Sequence, residues 1–560
     1  MSDTAVGSQT QTAVWREGVF WGVFGLAVLL YLPRVTLLTV RGEESRRAVI
    51  AREMMQTGDW ITPRVQGEVR LSRPPLQNWL IAMAASATGE FGPLAIRLPG
   101  VVATIGTALL IYGVARSELN RTVAALAACI YLSFIQVLEL GRTGETEPIF
   151  TCLVAASQLL WWRGWYHQRL YAMWGWSALL AGMATLTKGL QAPIYYFIPA
   201  YAFLFWKREL HRLLHPAHWV GWGIYIMVVG AWQVPFTFQQ GWYASLMIYF
   251  WNILIRLPGE QHAHPWLHWL SYPLQVFLIA MLPWSICWLL LGWRDVRQQF
   301  FRSSLIQFCV VSLVLCFVPV WLPAESRPRY FMPLFPCAAM TLAQLLLVSE
   351  RLGMSRLVGW FIRLRGMLGL GLALIIMGGC VAYWRGSASV AIELWIWAAS
   401  GLACLVVLRG VPCQTWSQIC WQTALTLTVC VGVGYTTLGL GVLHRRSNPL
   451  PAQVAQFKAQ LPENVPFGSL GEAHHAFLYY FGQSIPRWTL EDLRHHARER
   501  AIYFCCECPG DNQPDIPLAW EEVTRISVDR HYRHPPQVCM VIGRIIPQHA
   551  RHEETGLRSR

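Results

Sequence analysis

Residues 18–57 read GVFWGVFGLAVLLYLPRVTLLTVRGEESRRAVIAREMMQT, an apolar run that breaks into a cluster of charge. No charged residue falls between Gly18 and Pro33, and then Arg34, Arg41, Glu43, Glu44, Arg46, Arg47, Arg52 and Glu53 follow. Such a run is read as a membrane span. Adjacent carboxylates with flanking arginines directly behind it are costly unless they are solvated or used. A solvated helix N-terminus accounts for the pair as well, because Glu43 and Glu44 favour the helix dipole. Ala48, Val49, Ile50, Met54 and Met55, spaced among charges, predict a short amphipathic helix from Glu44 to Thr57 lying in the membrane interface. Gly58-Asp59 ends it, and Pro74–Ala85 (PPLQNWLIAMAA) predicts a second interfacial helix opened by proline.

The same apolar character recurs along the chain. Its 560 residues are 54% hydrophobic and only 14% charged, with mean hydropathy +0.35, whereas a soluble protein carries roughly 25% charged residues. About thirteen apolar runs stand out, near 18–38, 93–115, 122–140, 149–165, 172–187, 191–206, 219–236, 270–293, 304–323, 330–349, 366–384, 390–408 and 416–443. The 29 Trp and 19 Tyr suit the aromatic belts of membrane–water interfaces. These features predict an α-helical polytopic membrane protein. No small-x-small cleavage site follows the first run, which is read as an uncleaved span.

The loops set the orientation. Arg116/Arg121, Arg163/Arg169, Lys207/Arg208/Arg212, Arg294/Arg297/Arg302, Arg351/Arg356 and Arg409 fall in alternate loops, which places them and the N-terminus in the cytoplasm. Loops 39–92, 141–148, 188–190, 237–269 and 324–329 then face outward. The first of these breaks the rule, with Arg41, Arg46, Arg47, Arg52, Arg64, Arg70 and Arg73. A basic outward loop needs another reason, and binding an anionic headgroup is one. The net charge of +14 belongs to this loop pattern and to no helix-turn-helix, RNA-binding or zinc-finger signature, so nucleic acid is not an expected partner.

Past residue 445 the composition changes. Pro449, Pro451, Pro462 and Pro466 mark a linker and turns, and an amphipathic stretch (Leu490–Arg500) alternates with strand-like runs (Ala501–Cys506, Val538–Ile545). The expected division is a transmembrane catalytic domain over 1–445 and a small extracytoplasmic α/β domain, with a flexible tail, over 446–560. Of the 15 Cys, those such as Cys309, Cys316, Cys404 and Cys430 lie in apolar runs as small hydrophobes. Cys505, Cys506 and Cys508 form the only cluster, better suited to a disulfide with Cys539 or to burial in a strand than to a metal.

Four outward motifs carry the candidate chemistry: Arg41–Arg46 (RGEESR), Arg142–Pro148 (RTGETEP), Thr187-Lys188-Gly189 and Glu325–Tyr330 (ESRPRY). Lysine snorkelling explains Lys188 alone, yet all four fall on one expected side. Cations with a few carboxylates suit phospho-sugar chemistry. Arg and Lys hold a phosphate and neutralise a leaving group, and a carboxylate takes a proton from an attacking hydroxyl or amine. No Walker A or DxD motif supports a nucleotide donor, and none of these motifs calls for a cofactor.

The runs Glu43–Met54 (EESRRAVIAREM), Thr57–Pro63 (TGDWITP) and Arg73-Pro-Pro resemble the first outer loop of GT-C glycosyltransferases of the dolichyl-phosphate-mannose–protein mannosyltransferase-like family. That family includes bacterial enzymes that move aminoarabinose from undecaprenyl phosphate to lipid A. The resemblance resumes at Glu147-Pro148, Thr187-Lys188-Gly189 and Arg327–Pro333, and covers roughly residues 17–350 in order. It implies an inverting, metal-independent transferase of the bacterial inner membrane, with a polyprenyl-phosphate sugar donor among membrane lipids and a glycolipid or protein acceptor. Glu43 stands where the family's catalytic Asp stands, and Glu147 where a second acidic residue precedes Pro. Arg46, Arg73, Lys188 and Arg256 match phosphate contacts, and Tyr330 a donor-pocket tyrosine. Glu44 and Arg142, from the outer motifs, complete the candidate substrate-binding set. The chain departs from the pattern with Glu at both Asp positions, Arg47 for Tyr and Arg73 for Lys, the last turning a point charge into a bidentate fork. Two rivals are an oligosaccharide ligase and a lipid-linked sugar flippase. A flippase would place charges near the bilayer midplane on broken helices, often in two related halves.

Overall fold

A computed structural model describes residues 14–254, 265–323, 326–353, 355–409, 416–463, 465–499, 501–510, 512–529 and 537–545. The chain divides into two compact units, one of Met1–Arg34, Ser72–Leu76 and Pro99–Gly441, the other of Val35–Leu71, Gln77–Leu98 and Val442–Arg560.

The first unit is helical, and every apolar run of the sequence carries a helix. Among the described residues, seven helices are long and apolar enough to cross a membrane: Pro93–Glu118, Pro216–Phe250, Ser304–Trp321, Pro328–Arg351, Arg363–Trp384, Ala388–Leu408 and Gln418–Arg445. Leu267–Ala280 and Trp284–Gly292, bent by 111°, make an eighth if taken as one span. Gly18–Tyr31 and Arg121–Ser133 are shorter apolar helices, and Thr146–Tyr166, Leu170–Lys188 and Gln191–Trp206 account for the remaining runs. By length and composition the helices thus give up to eight spans where the sequence suggested about thirteen. Run 122–140 shows one reason, because the chain leaves helical geometry at Phe134 and resumes over Ile135–Leu140.

Small residues let these helices approach closely. A Cβ on Gly164 would lie 2.5 Å from Met173 Cα, which draws Thr146–Tyr166 against Leu170–Lys188. Aromatic rings fill the interior, with Trp161 stacked on Phe308 at 5.4 Å and edge-on to Trp174 at 5.8 Å.

The second unit is α/β. A two-stranded antiparallel hairpin, β1 (Arg64–Val65) and β2 (Glu68–Val69), turns at Gln66 and Gly67, both at positive φ as such turns require. The main sheet has β3 (Phe467–Leu470), β4 (Arg487–Trp488), β5 (Ile502–Pro509), β6 (Trp520–Ser527) and β7 (Val538–Ile545) in the order β4-β3-β5-β7-β6. β3 pairs parallel with β4 and β5, and β7 runs antiparallel to β5 and β6. Helices His475–Phe481 and Leu490–Glu499 connect the parallel strands, the crossover such pairing needs.

The expected interfacial helix forms over Glu43–Thr57, but its apolar residues have a different partner. Ala48, Val49, Ile50 and Met54 are buried in one hydrophobic cluster with Leu450, Val454, Phe457 and Phe477. The amphipathic stripe meets the protein's own core, so most of the loop over 39–92 belongs with the C-terminal segment rather than with the helical unit. Cys505, Cys506 and Cys508 are buried in β5, with Cys508 opposite Cys539 in register. No group of metal-ligating side chains occurs among the described residues.

Candidate active site

Three sequence-distant segments meet inside the first unit. Glu147 lies in the first turn of Thr146–Tyr166, where the helix dipole favours an anion. Lys188 lies in the last turn of Leu170–Lys188, where the dipole favours a cation. Gly189, at φ +69°, ends that helix in a conformation L side chains rarely adopt. Arg329 and Tyr330 come from the short 3₁₀ turn Pro328–Leu334.

Lys188 Nζ is 3.2 Å from Glu147 Oε1, and Arg329 Nε is 3.5 Å from the same oxygen. Arg329 Nη1 also reaches Glu145 Oε2 at 2.5 Å. Arg73 Nη1 donates to Thr146 Oγ1 at 2.5 Å, one residue from Glu147. Lys188 lies over the Tyr330 ring at 4.7 Å and the Phe150 ring at 5.2 Å. The side chains of Glu147 and Lys188 are 1% and 3% exposed. Charges so deeply buried are tolerated only in good mutual geometry. Arg73, Lys188 and Arg329 set three cations against the two carboxylates of Glu145 and Glu147, so the cluster is poised to take an anion.

A cavity of about 380 Å³ opens at this cluster. Arg73, Lys188, Tyr330 and Ser72 line it together with apolar residues such as Ile194, Ile248, Val320 and Leu322. Cations combined with an apolar wall suit a ligand that is both anionic and lipophilic.

The second unit carries the other candidate carboxylate. Gly42, at φ 59°, precedes the helix Glu43–Thr57. Glu43 Oε1 accepts from Arg46 Nη1 at 2.6 Å, and Oε2 from Arg47 Nη2 at 3.0 Å, with the Glu43 side chain 23% exposed. Two charge-assisted bonds orient the carboxylate. Ser45 Oγ lies 2.7 Å from His475 Nδ1, and His475 stacks on His474 at 4.2 Å. Burial first, then His474 and Arg46, push His475 down to about 2. Burial with Arg46 and Arg41 lowers His474 to about 4. Both rings are therefore neutral at physiological pH.

Two sequence candidates are occupied elsewhere. Glu44 is held bidentately by Arg97, Nη2 to Oε1 at 2.6 Å and Nε to Oε2 at 3.0 Å. Arg97 also donates to the carbonyls of Val35 (2.6 Å) and Leu38 (2.9 Å), so this pair stitches the loop rather than offering a ligand. Arg142 donates to Leu30 O at 2.7 Å and Leu138 O at 3.1 Å. It lies between the Tyr31 and Tyr435 rings at 5.5 and 5.3 Å, and it is not among the residues lining the cavity. These contacts were not legible in the sequence, which shows a charge without its partner. Arg256 and Glu325 lie outside the described residues. Arg97, His474 and His475 escaped the sequence reading, and Arg329 was quoted only inside the ESRPRY motif, without a role of its own. Arg97 had a signal, since an arginine inside an apolar run needs a partner.

Known proteins resemble this chain in sequence and in fold. Residues 72–233 match the family model described as dolichyl-phosphate-mannose-protein mannosyltransferase. An undecaprenyl phosphate-alpha-4-amino-4-deoxy-L-arabinose arabinosyl transferase of Pseudomonas aeruginosa is 30% identical over 389 residues, 64% of this chain. That alignment spans 66% of the relative, just under two thirds of its length. A transferase of the same description from Pseudomonas fluorescens is 27% identical over 462 residues, 73% of this chain and 74% of the relative. The crystal structure of ArnT from Cupriavidus metallidurans bound to undecaprenyl phosphate superposes with a TM-score of 0.67 at 16% identity, covering 95% of this chain and 99% of that one, and so shares the fold. In its charged loop motifs, its fold and these relatives, the chain is similar to the GT-C glycosyltransferases of the dolichyl-phosphate-mannose–protein mannosyltransferase-like family.

Proposed function

We propose that this protein transfers a sugar from a polyprenyl-phosphate donor to an acceptor outside the cytoplasm, without a metal. The observation that carries the reading is the cavity in which Arg73 and Lys188 stand beside an apolar wall. Lys188 and Arg73 would hold the donor's phosphate and offset the charge that builds on it as the sugar departs. Tyr330, whose ring lies under Lys188, would support the sugar end. Glu147 keeps Lys188 and Arg329 in place, which makes it a positioning residue.

Glu43 remains the candidate base. It is partly exposed and oriented by two arginines, whereas the oxygen of Glu147 is shared by two cations in the interior. The base would take the acceptor's proton as the acceptor attacks the anomeric carbon, and the bond to the polyprenyl phosphate would break with the electron pair staying on the phosphate. The relatives' description suggests undecaprenyl phosphate-linked 4-amino-4-deoxy-L-arabinose as donor, and a lipid A-like glycolipid suits that donor as acceptor. The unit carrying the five-stranded sheet, an α/β domain, would face the periplasm and the N-terminus the cytoplasm. The relatives are described as transferases, which favours a transferase over a flippase.

The test is mass spectrometry of lipid-linked sugars and glycolipids from cells with and without this protein, alongside transfer in vesicles. Loss of one acceptor's sugar with accumulation of the polyprenyl-phosphate sugar supports the reading. Unchanged glycolipids, with donor flipped across vesicles instead, would overturn it.

A further inference from the structure

The helix that places Glu147 reaches a second cavity at its other end. Fifteen residues separate Glu147 from Trp162 on Thr146–Tyr166, about 22 Å at 1.5 Å per residue. This cavity has a volume of about 410 Å³, within the roughly 300–1,000 Å³ of small-molecule sites. It belongs wholly to the first unit and shares no lining residue with the cavity at Lys188.

Its lining is cationic. Arg302 lies in the turn before Ser304–Trp321 and Arg351 ends the helix Phe335–Arg351, and neither side chain has a hydrogen-bond or ion-pair partner among the described residues. Glu118 also faces the cavity, but its carboxylate is engaged by His167 Nε2 at 3.2 Å. Ser303 and Ser304 bring the start of the helix Ser304–Trp321 to the wall. Ser303 Oγ takes the Ile306 N–H, and the first-turn amides of Ser304 and Leu305 have no carbonyl one turn back within the helix. Such amides are a ready anion site. Gln344, 7% exposed, lines the same space, and its Oε1 is buried without a partner. Trp162 and Tyr166, stacked at 5.2 Å, form an aromatic wall.

We infer that this cavity binds a phosphate group, held by Arg302, Arg351 and the first-turn amides of Ser304–Trp321, with Gln344 accepting a hydrogen bond from a hydroxyl or ammonium beside that phosphate. The shared chemistry is that of a phospholipid headgroup and of free phosphate. The inference does not depend on the transfer reaction, because no residue of the first cavity takes part.

The experiment uses the full chain in detergent, with phosphatidylglycerol and inorganic phosphate as separate probes and native mass spectrometry as readout. Wild-type protein retains one phosphatidylglycerol that Arg302→Ala/Arg351→Ala holds roughly ten- to a hundredfold more weakly, the scale of losing charge-assisted hydrogen bonds. Arg302→Lys/Arg351→Lys should recover part of the affinity. Displacement of the lipid by inorganic phosphate, or binding of phosphate alone, assigns the site to the free anion. Binding of phosphatidylglycerol with indifference to phosphate assigns it to a headgroup. Equal retention of both probes by wild type and the alanine variant overturns the inference. Should the double variant fail to fold, Arg351→Gln, at an exposed helix end, gives the same reading, and wild-type affinity there overturns it.

Discussion

The two units each hold carboxylates among arginines and lysines, and they use them differently. Around Glu147 the pair with Lys188 is almost wholly buried and a second cation shares the same oxygen. Around Glu43 both oxygens face arginines from the next turn of the same helix, and the side chain keeps 23% exposure. Burial makes the first cluster a rigid electrostatic cradle. Its charges depend on one another, and removing one leaves the rest uncompensated. Exposure leaves the second cluster able to exchange a proton with an incoming acceptor. The comparison separates a buried carboxylate that holds cations in place from one that stays partly open to solvent.

The largest effect should come from breaking the buried pair. Lys188→Met leaves Glu147 without its nearest cation, which costs about 3–5 kcal/mol for a broken buried pair. Thermal unfolding in detergent should show that loss, together with loss of transfer. Adding Glu147→Gln to Lys188→Met should recover most of the stability and none of the transfer. A double variant as unstable as the single one would break the account of the first cluster.

Glu43→Gln sharpens the other side. Transfer should fall by about 10²–10⁴-fold, the usual worth of a general base, with the unfolding temperature and donor affinity nearly unchanged. Glu147→Gln should instead lower stability and donor affinity together with transfer. A folded Glu43→Gln protein with near-normal rate would end the assignment of the base. Glu43→Asp should still slow transfer if the arginine pair is set for the longer side chain.

Arg73→Ala should act on binding more than on rate. Donor affinity should weaken roughly ten- to a hundredfold, the equivalent of about 1.5–3 kcal/mol, as read by donor titration. Arg73→Lys should recover part of it, since the fork becomes a point charge. An effect on rate alone would remove Arg73 from the phosphate.

The smallest effect is in the pH dependence of the second unit. The histidines' folded values lie well below the unfolded one, near 2 for His475 and 4 for His474. The unfolded chain therefore binds protons first as pH drops, and stability should be complete above about pH 6.5 and fall from there through pH 4. Limited proteolysis of the sheet-bearing segment across that range is the measure. His475→Gln should flatten the curve, and an unchanged slope would show that the rings are not buried neutral.

Sequence reading singled out Glu43, Glu147, Arg73, Lys188 and Tyr330 as candidates because their motifs are local and keep fixed spacings. It assigned Glu44 and Arg142 to substrate for the same reason, since a motif displays a charge without its tertiary partner. Arg97 claims the first, and main-chain carbonyls and two tyrosine rings claim the second. Arg329 stood inside a quoted motif, yet nothing in its neighbours announced that it reaches Glu145 and Glu147, about 180 residues earlier.

By itself the sequence determined that this chain is a bundle of apolar helices with a small α/β segment at its end, and that short motifs between the apolar runs gather carboxylates with arginines and lysines. Hydrophobic periodicity and composition are properties of neighbouring residues, and so they survive without the fold. Only the tertiary structure decided which charges are spent on each other, that the amphipathic helix after the first apolar run buries its stripe in the protein's own core, and that Arg73, Lys188 and Tyr330 share one cavity. Burial and pairing arise between residues far apart in the chain, and a charge has no defined role until both are fixed.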